Sequence, residues 1–398
     1  MRRYKTYING EWFEGTSGIV LRSVDPSNNK ELGEIVQNSK EDVEYAIESA
    51  SRSFYKTREW RDLDVQQRND KLLKIADMIE SEIDEIAKTE SMDNGKPLRE
   101  AQADVDDAVH CFRYYAGLIR TPSGQTYNVN SNFGNMHSYT VKEPVGVCAL
   151  ITPWNFPFLM SVWKIAPALA AGNSIIFKPS SETVLSALKL FEILDKCDLP
   201  KGTANLVIGS GSTVGNLLAE SKKVDMITFT GSTSVGQGIM RAAAGNVKKI
   251  GLELGGKSPN IVFADTDIDK TVEWVMMGIF LNQGEVCCAG SRLIIEKSIK
   301  DKFLKKLVDK TDKLTLGAPL DNPDMGPLIS KKHMQDVLGY IEKGKAEGAK
   351  LLCGGYKCTD DDLVNGNFIK PAIFDDCTSD MSIVREEIFG PVLTVLTF

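Results

Sequence analysis

Residues 204–254 read ANLVIGSGSTVGNLLAESKKVDMITFTGSTSVGQGIMRAAAGNVKKIGLEL. Short apolar runs (ANLVIG, DMITFT, KKIGLEL) alternate there with stretches of helical spacing (TVGNLLAES, SVGQGIMRAAA). The same rhythm precedes them in GVCALIT, LMSVWKIAPALAA, NSIIFKP and TVLSALKLFEILDK. Strand and helix alternating at these lengths predict right-handed crossovers and a parallel sheet covered on both faces. That is an α/β architecture of the nucleotide-binding type.

Beyond residue 259 the rhythm repeats more loosely. NIVFAD, a helix over about 268–281, SRLIIE, a lysine-rich helix near 300–313 and a strand in FIKPAIF suffice for a second α/β domain. The first third reads as helical: Val43, Ala46, Ile47, Ala50 and Phe54 recur at helical spacing, as do Leu72, Ile75, Ile79, Ile83 and Ile86. Both stripes are core packing. Residues 126–144, TYNVNSNFGNMHSYTVKEP, change to polar, aromatic and β-branched types bounded by Gly and Pro, which predicts a hairpin leaving the main body for assembly. The expected division is 1–125 with 145–252, the hairpin 126–144, and 253–398.

Composition narrows the partners. The chain has 398 residues, of which 42% are hydrophobic and 25% charged, with a formal charge of -7 and the signs interspersed. No basic patch for nucleic acid or anionic lipid stands out, and no apolar run is long enough to span a bilayer. Eight scattered cysteines without an export signal predict reduced thiols in the cytoplasm. His110, His137 and His333 lie far apart and pair with no cysteine at zinc-ligand spacing, so no metal centre is expected. A small molecule is the expected partner.

Three glycine-rich turns compete for a ligand. GLELGGKS, residues 251–258, matches a phosphate loop by letters, which would make the protein an NTPase. Its context fails: Pro259 and the strand-like NIVF follow, where a helix is required, and bulky Glu253 and Leu254 sit inside the supposed loop. GSGSTVG carries Gly209, Gly211 and Gly215, one residue too long for a dinucleotide fingerprint. In FTGSTSVG, Gly231, Gly236, Ser232 and Thr233 stand between a strand and a helix, where backbone and hydroxyl donors suit a pyrophosphate. Both turns also read as simple helix starts.

FLNQGEVCCAGSR then places a cysteine pair in a loop flanked by Gly284, Ala289 and Gly290, open to close approach by backbone donors. Together, PWNFP, FKPS, FTGSTSVG, LELGGKSP, NQGEVCCAGSR and EEIFGPV, in this order, resemble the NAD(P)-dependent aldehyde dehydrogenase superfamily across essentially the whole chain. GNVKKIGLELGGKSPNIVF and SDMSIVREEIFGPVLTV look most like its bacterial betaine aldehyde dehydrogenase branch.

The resemblance implies a Rossmann-like cofactor domain, a catalytic α/β domain and a homo-oligomer, dimer or tetramer. It also implies oxidation of an aldehyde to a carboxylic acid through a cysteine thiohemiacetal and thioester, with betaine aldehyde giving glycine betaine as one case. By it Cys287 is the nucleophile, and the Asn155 amide with the Cys287 N–H holds the oxyanion. Glu253, its pKa raised by burial, activates water for thioester cleavage, and Lys164 belongs to a proton relay. Trp154, Lys178, Gly211, Gly231, Ser232, Glu387 and Phe389 are the implied cofactor contacts, and Phe156 and Trp163 the substrate walls. On residue type alone, Lys178 would be a solvated surface charge and Trp154 core.

Two departures stand out. Where NAD-preferring members carry a glutamate, this chain has Ser181, with Glu182 one place later, so NADP is expected to serve alongside NAD. The chain stops at VLTVLTF, an apolar run expected to be exposed, where family chains continue. A shortened relative with weak or no turnover and a binding or structural role is therefore the alternative.

Overall fold

Val147–Ile151 and Ser174–Lys178 are buried at every position, and they form the middle of a seven-stranded sheet. In this computed structural model, which describes residues 2–121, 123–360 and 362–398, the sheet runs Lys249–Leu254, Met226–Gly231, Val147–Ile151, Ser174–Lys178, Ala204–Leu206, Thr6–Ile8, Glu11–Phe13. The first five strands are parallel, as the alternating rhythm predicts, and the last two join antiparallel.

Side chains on a strand alternate between faces, and here the alternation sorts two cores. Cys148 and Leu150 pack with Ile175 and Phe177 against helices Val65–Ser81, Leu98–Leu118, Pro157–Ala170 and Leu185–Lys196. Val147, Ala149, Ile151 and Ile176 point the other way, onto helices Lys40–Arg52, Asn216–Glu220 and Thr233–Ala243. The first of these starts with a reciprocal cap between Ser39 and Asp42.

A second sheet follows in the order Pro259–Val262, Arg292–Ile295, Val392–Thr397, Ala372–Asp375, Lys350–Cys353, with only the last strand antiparallel. Helices Ile268–Phe280 and Lys300–Thr311 cover one face and Lys331–Ala346 the other. The α/β class and both strand rhythms are as expected from sequence.

Three expectations are corrected. The first third is not simply helical: five short strands precede residue 37, and Arg3–Tyr4, Lys30–Val36 and Val20–Asp25 make a sheet of their own. The stripe Leu72 to Ile86 is two helices, Val65–Ser81 and Ile83–Asn94, broken at Glu82 (φ −115°, ψ 15°) with no Gly or Pro to announce it. As its sequence context predicts, GLELGGKS opens no helix and is no phosphate loop: residues 249–254 are strand, and 259–262 strand again. The apolar run at the end is exposed only at its tip: Val392–Thr397 lies between two partner strands, with Val392, Leu393, Thr394 and Val395 buried, while Thr397 and Phe398 are exposed.

Thr126–Ser131 and Gly134–Tyr139 form the expected hairpin, exposed along its whole length and pairing only with itself among the described residues. Among the described residues, no helix is long and apolar enough to cross a membrane.

Candidate active site

Parallel strands deliver their carboxyl ends to one edge, where open α/β sheets bind ligands. Here Ile151 stands opposite Lys178 and Phe229, and Gly231 opposite Leu254, so the segments after 151, 178, 231 and 254 meet along that edge. A cavity of about 460 Å3 opens there. Its walls include Trp154, Asn155, Phe156, Trp163, Thr230, Gly231, Ser232, Cys287, Cys288, Glu387 and Phe389. Nine of the residues singled out from sequence thus share one space, contributed by both sheets.

The PWNFP turn is held from outside. Asn94 Nδ2 donates to Trp154 O at 2.9 Å, Asn282 Nδ2 to Asn155 O at 2.7 Å, and the Glu90 carboxylate accepts from Phe158 N at 3.2 Å. Asn155 is buried, and its Nδ2 donates to Glu285 O at 2.8 Å. An amide nitrogen carries two protons, so one N–H remains for a ligand in the cavity.

The cysteine-pair loop is built on strained backbone. Asn282, Gln283 and Gly284 all adopt left-handed φ (45°, 57° and 74°), and a Cβ at position 284 would meet Gly390 O at 2.4 Å. The partly buried carboxyl of Glu100 accepts from Asn282 N at 2.9 Å; desolvation lifts its pKa to about 7. Glu285 is wholly buried, one oxygen accepting from Ile329 N at 3.0 Å. Cys287 is half-buried and Cys288 exposed. Desolvation, then the neighbouring Cys288 thiol, push the Cys287 pKa above the ordinary value.

Five candidates lie outside the cavity walls. Glu253 is exposed at the end of its strand, so the buried setting expected for it is not found. Lys164 is buried, its Nζ donating to Thr228 Oγ1 at 3.0 Å; desolvation lowers its pKa to about 8, against the opposing pull of Glu253. Lys178 is buried, not the solvated charge its type suggests: Nζ donates to Pro179 O at 2.9 Å, and desolvation brings it to about 8. Ser181 is partly buried beyond that strand, and Gly211 is exposed at the start of the turn Gly211–Gly215.

The facing wall has donors to spare. Ser232 stands at the N-cap of helix Thr233–Ala243 without a side-chain capping bond, and the buried Thr230 Oγ1 has no partner among the described residues. Gly256 N donates to Glu387 at 3.3 Å. Trp154, partly buried on the cavity wall rather than in the core, meets Phe389 edge-on at 5.2 Å. His333 joins them through a 2.7 Å Nε2 contact to Phe389 O. Sequence reasoning missed His333, Thr230, Glu100 and Glu285; Glu100 stands among many other charged residues of helix Leu98–Leu118, and no local pattern marks any of the four.

The comparisons with known proteins agree with this geometry. The model of the aldehyde dehydrogenase family matches residues 12–398. A betaine aldehyde dehydrogenase of Bacillus subtilis (strain 168) is 47% identical over 393 residues, covering 98% of this chain and 80% of that protein. Human mitochondrial aldehyde dehydrogenase is 41% identical over 396 residues, covering 98% and 75%. The crystal structure of a betaine aldehyde dehydrogenase from Staphylococcus aureus in complex with NAD+ superposes with a TM-score of 0.96 at 42% identity, covering 99% of this chain and 78% of that one. The chain belongs to the aldehyde dehydrogenase family and is an oxidoreductase of that class.

Proposed function

We propose that this protein oxidises betaine aldehyde or a close analogue to the carboxylic acid, with NAD(P), through an acyl adduct on Cys287. The observation that carries the reading is the meeting of the Cys287 thiol and the Asn155 amide on one cavity, with Gly231, Ser232, Glu387 and Phe389 on the facing wall. The Cys287 thiolate attacks the aldehyde carbon, and the carbonyl oxygen becomes an oxyanion. Asn155 Nδ2–H and the Cys287 backbone N–H hold that charge. Water then attacks the thioester, Glu253 takes its proton, and the carbon–sulfur bond breaks to release the acid and restore the thiolate. Lys164, beside Thr228 and in the field of Glu253, passes protons onward.

The residues fit a dinucleotide. An uncapped helix start beside Gly231 offers backbone donors to a pyrophosphate, and Thr230 lines the same cavity. Ser232 and Gly231 would hold the phosphates, Lys178 and Ser181 the adenosine ribose, and Glu387 the second ribose, with Trp154 and Phe389 beside it. Gly211 belongs to the outer end of that edge. When bound, NAD(P) supplies acceptance of the hydride that turns the thiohemiacetal into the thioester. Because Ser181 offers a hydroxyl without a repelling charge, kcat/KM with NAD should exceed that with NADP by less than about 1000-fold. Initial rates with both cofactors decide this, and a larger ratio removes Ser181 from the explanation.

The substrate assignment rests on the Bacillus subtilis and Staphylococcus aureus relatives and on the cavity's aromatic wall. Trp163 is 52% exposed and lines the cavity, so its face is free for a quaternary ammonium. Phe156 is less free, since Lys96 Nζ already sits 4.1 Å from its ring centroid. Betaine aldehyde should give a kcat/KM about tenfold above 3,3-dimethylbutanal, its uncharged isostere, in an NADH absorbance assay. Equal values would exclude recognition of the cation. In this reading the seven-stranded sheet serves the cofactor and the five-stranded one the nucleophile. The exposed hairpin, with Phe133 96% exposed at its tip, joins copies of the chain, as a two-stranded ribbon needs a partner to be stable. Eight free thiols suit the reducing cytoplasm.

A further inference from the structure

We propose that Lys96 is a positioning residue for the oxyanion-binding turn, acting through Phe156 and Glu90 on the amide of Asn155. The inference rests on the role given to Asn155 above. Lys96 is fully buried, although a buried ammonium is costly unless its charge is matched. It is matched by Asp104 Oδ2 at 2.5 Å and Glu90 Oε1 at 3.7 Å, and its Nζ lies over the Phe156 ring, 4.1 Å from the centroid. Its main chain is fixed as well: Lys96 N donates to Asn94 Oδ1 at 3.1 Å, and Lys96 O accepts from Ser91 Oγ at 2.7 Å.

Segment 90–96 therefore grips the turn at four of five consecutive residues. Asn94 takes the carbonyls of Trp154 and Asn155, Lys96 the ring of Phe156, and Glu90 the N–H of Phe158. The grip has a steric purpose. Phe156 lines the catalytic cavity on one side and, on the other, a second cavity of about 560 Å3 bounded by Glu100, Met276, Phe280 and Leu281. An unanchored ring has space on both sides, and its movement carries the adjoining Asn155 amide away from the oxyanion position. An apolar side chain could fill the volume of Lys96; only a cation adds attraction to the ring face.

The test is K96M in the whole chain, which keeps the stem and removes the charge. Stopped-flow acylation, read as the NADH burst, should slow by about 30-fold or more, toward the 10²–10³-fold scale of a lost oxyanion donor. The dissociation constant for NAD+ by calorimetry and the alkylation rate of Cys287 by iodoacetamide should stay within about twofold, since neither uses the Asn155 amide. On an N155A background, K96M should add less than about threefold, because the two act as one unit. Wild-type acylation in K96M overturns the proposal, as does a full additive loss on N155A, or a parallel loss of NAD+ binding. Should K96M not fold, K96M/D104N removes the nearest opposite charge with the ammonium and takes the same measurements; failure of both to fold makes Lys96 a fold residue and ends the proposal. An N155A enzyme that acylates at the wild-type rate overturns the oxyanion reading itself, and this inference with it.

Discussion

Cys287→Ser should lower aldehyde-dependent NADH formation by about 10⁴-fold or more, while NAD+ binding stays within about twofold. The hydroxyl occupies the same place but ionises far less readily, and among the described residues no imidazole is placed to take its proton. His333, at the edge of the site, spends Nε2 on the Phe389 carbonyl. Cys288→Ser should keep at least about a third of the activity, because Cys288 is exposed and, after burial, is the neighbour that raises the Cys287 pKa. The same geometry sets a pH dependence. Burial and Cys288 disfavour the thiolate, so iodoacetamide alkylation of the apo enzyme should climb through the alkaline range without a plateau below about pH 8. A plateau near neutrality would mean a cation stabilises the thiolate in a way this arrangement does not contain.

Glu253→Gln should lower steady-state turnover by about 10²–10³-fold and leave the first NADH burst almost intact. Acylation needs only the thiolate and the oxyanion donors; hydrolysis of the thioester needs a base. The substituted amide preserves the shape of the side chain and cannot accept the proton. The exposure of Glu253 sharpens the expectation, because an exposed carboxylate can reach water without first opening a packed interior. If burst and turnover fall together, Glu253 acts in acylation or binding, and water activation passes to another group.

Much of this site can be read from the sequence because its parts are short and local. The GSTSV helix start, the CC loop and the PWNFP turn each announce themselves in a handful of letters, and strand periodicity brings their ends to one edge. What could not be read is long-range. Glu285 and Lys96 look like ordinary surface charges, yet both are fully buried; Glu285 accepts from Ile329 N, 44 residues away, and Lys96, paired locally with Glu90 and Asp104, also sits over the ring of Phe156, 60 residues away. Strands before residue 37 were hidden because each is at most seven residues long and none shows a clean alternation of buried and exposed positions. The break at Glu82 was hidden because an interrupted helix still buries Ile79 and Ile86 in the same core. Burial of residues 392–395 follows from partners at Arg292 and Ala372, which no local pattern names.

The most direct test of a covalent mechanism on Cys287 is tandem mass spectrometry of the E253Q enzyme, quenched in acid within a second of mixing with NAD+ and betaine aldehyde. The expected result is one acyl group per chain, with fragment ions assigning it to residue 287 and none to residue 288. An unmodified residue 287 after a full NADH burst, or the acyl group on any other side chain, contradicts the mechanism.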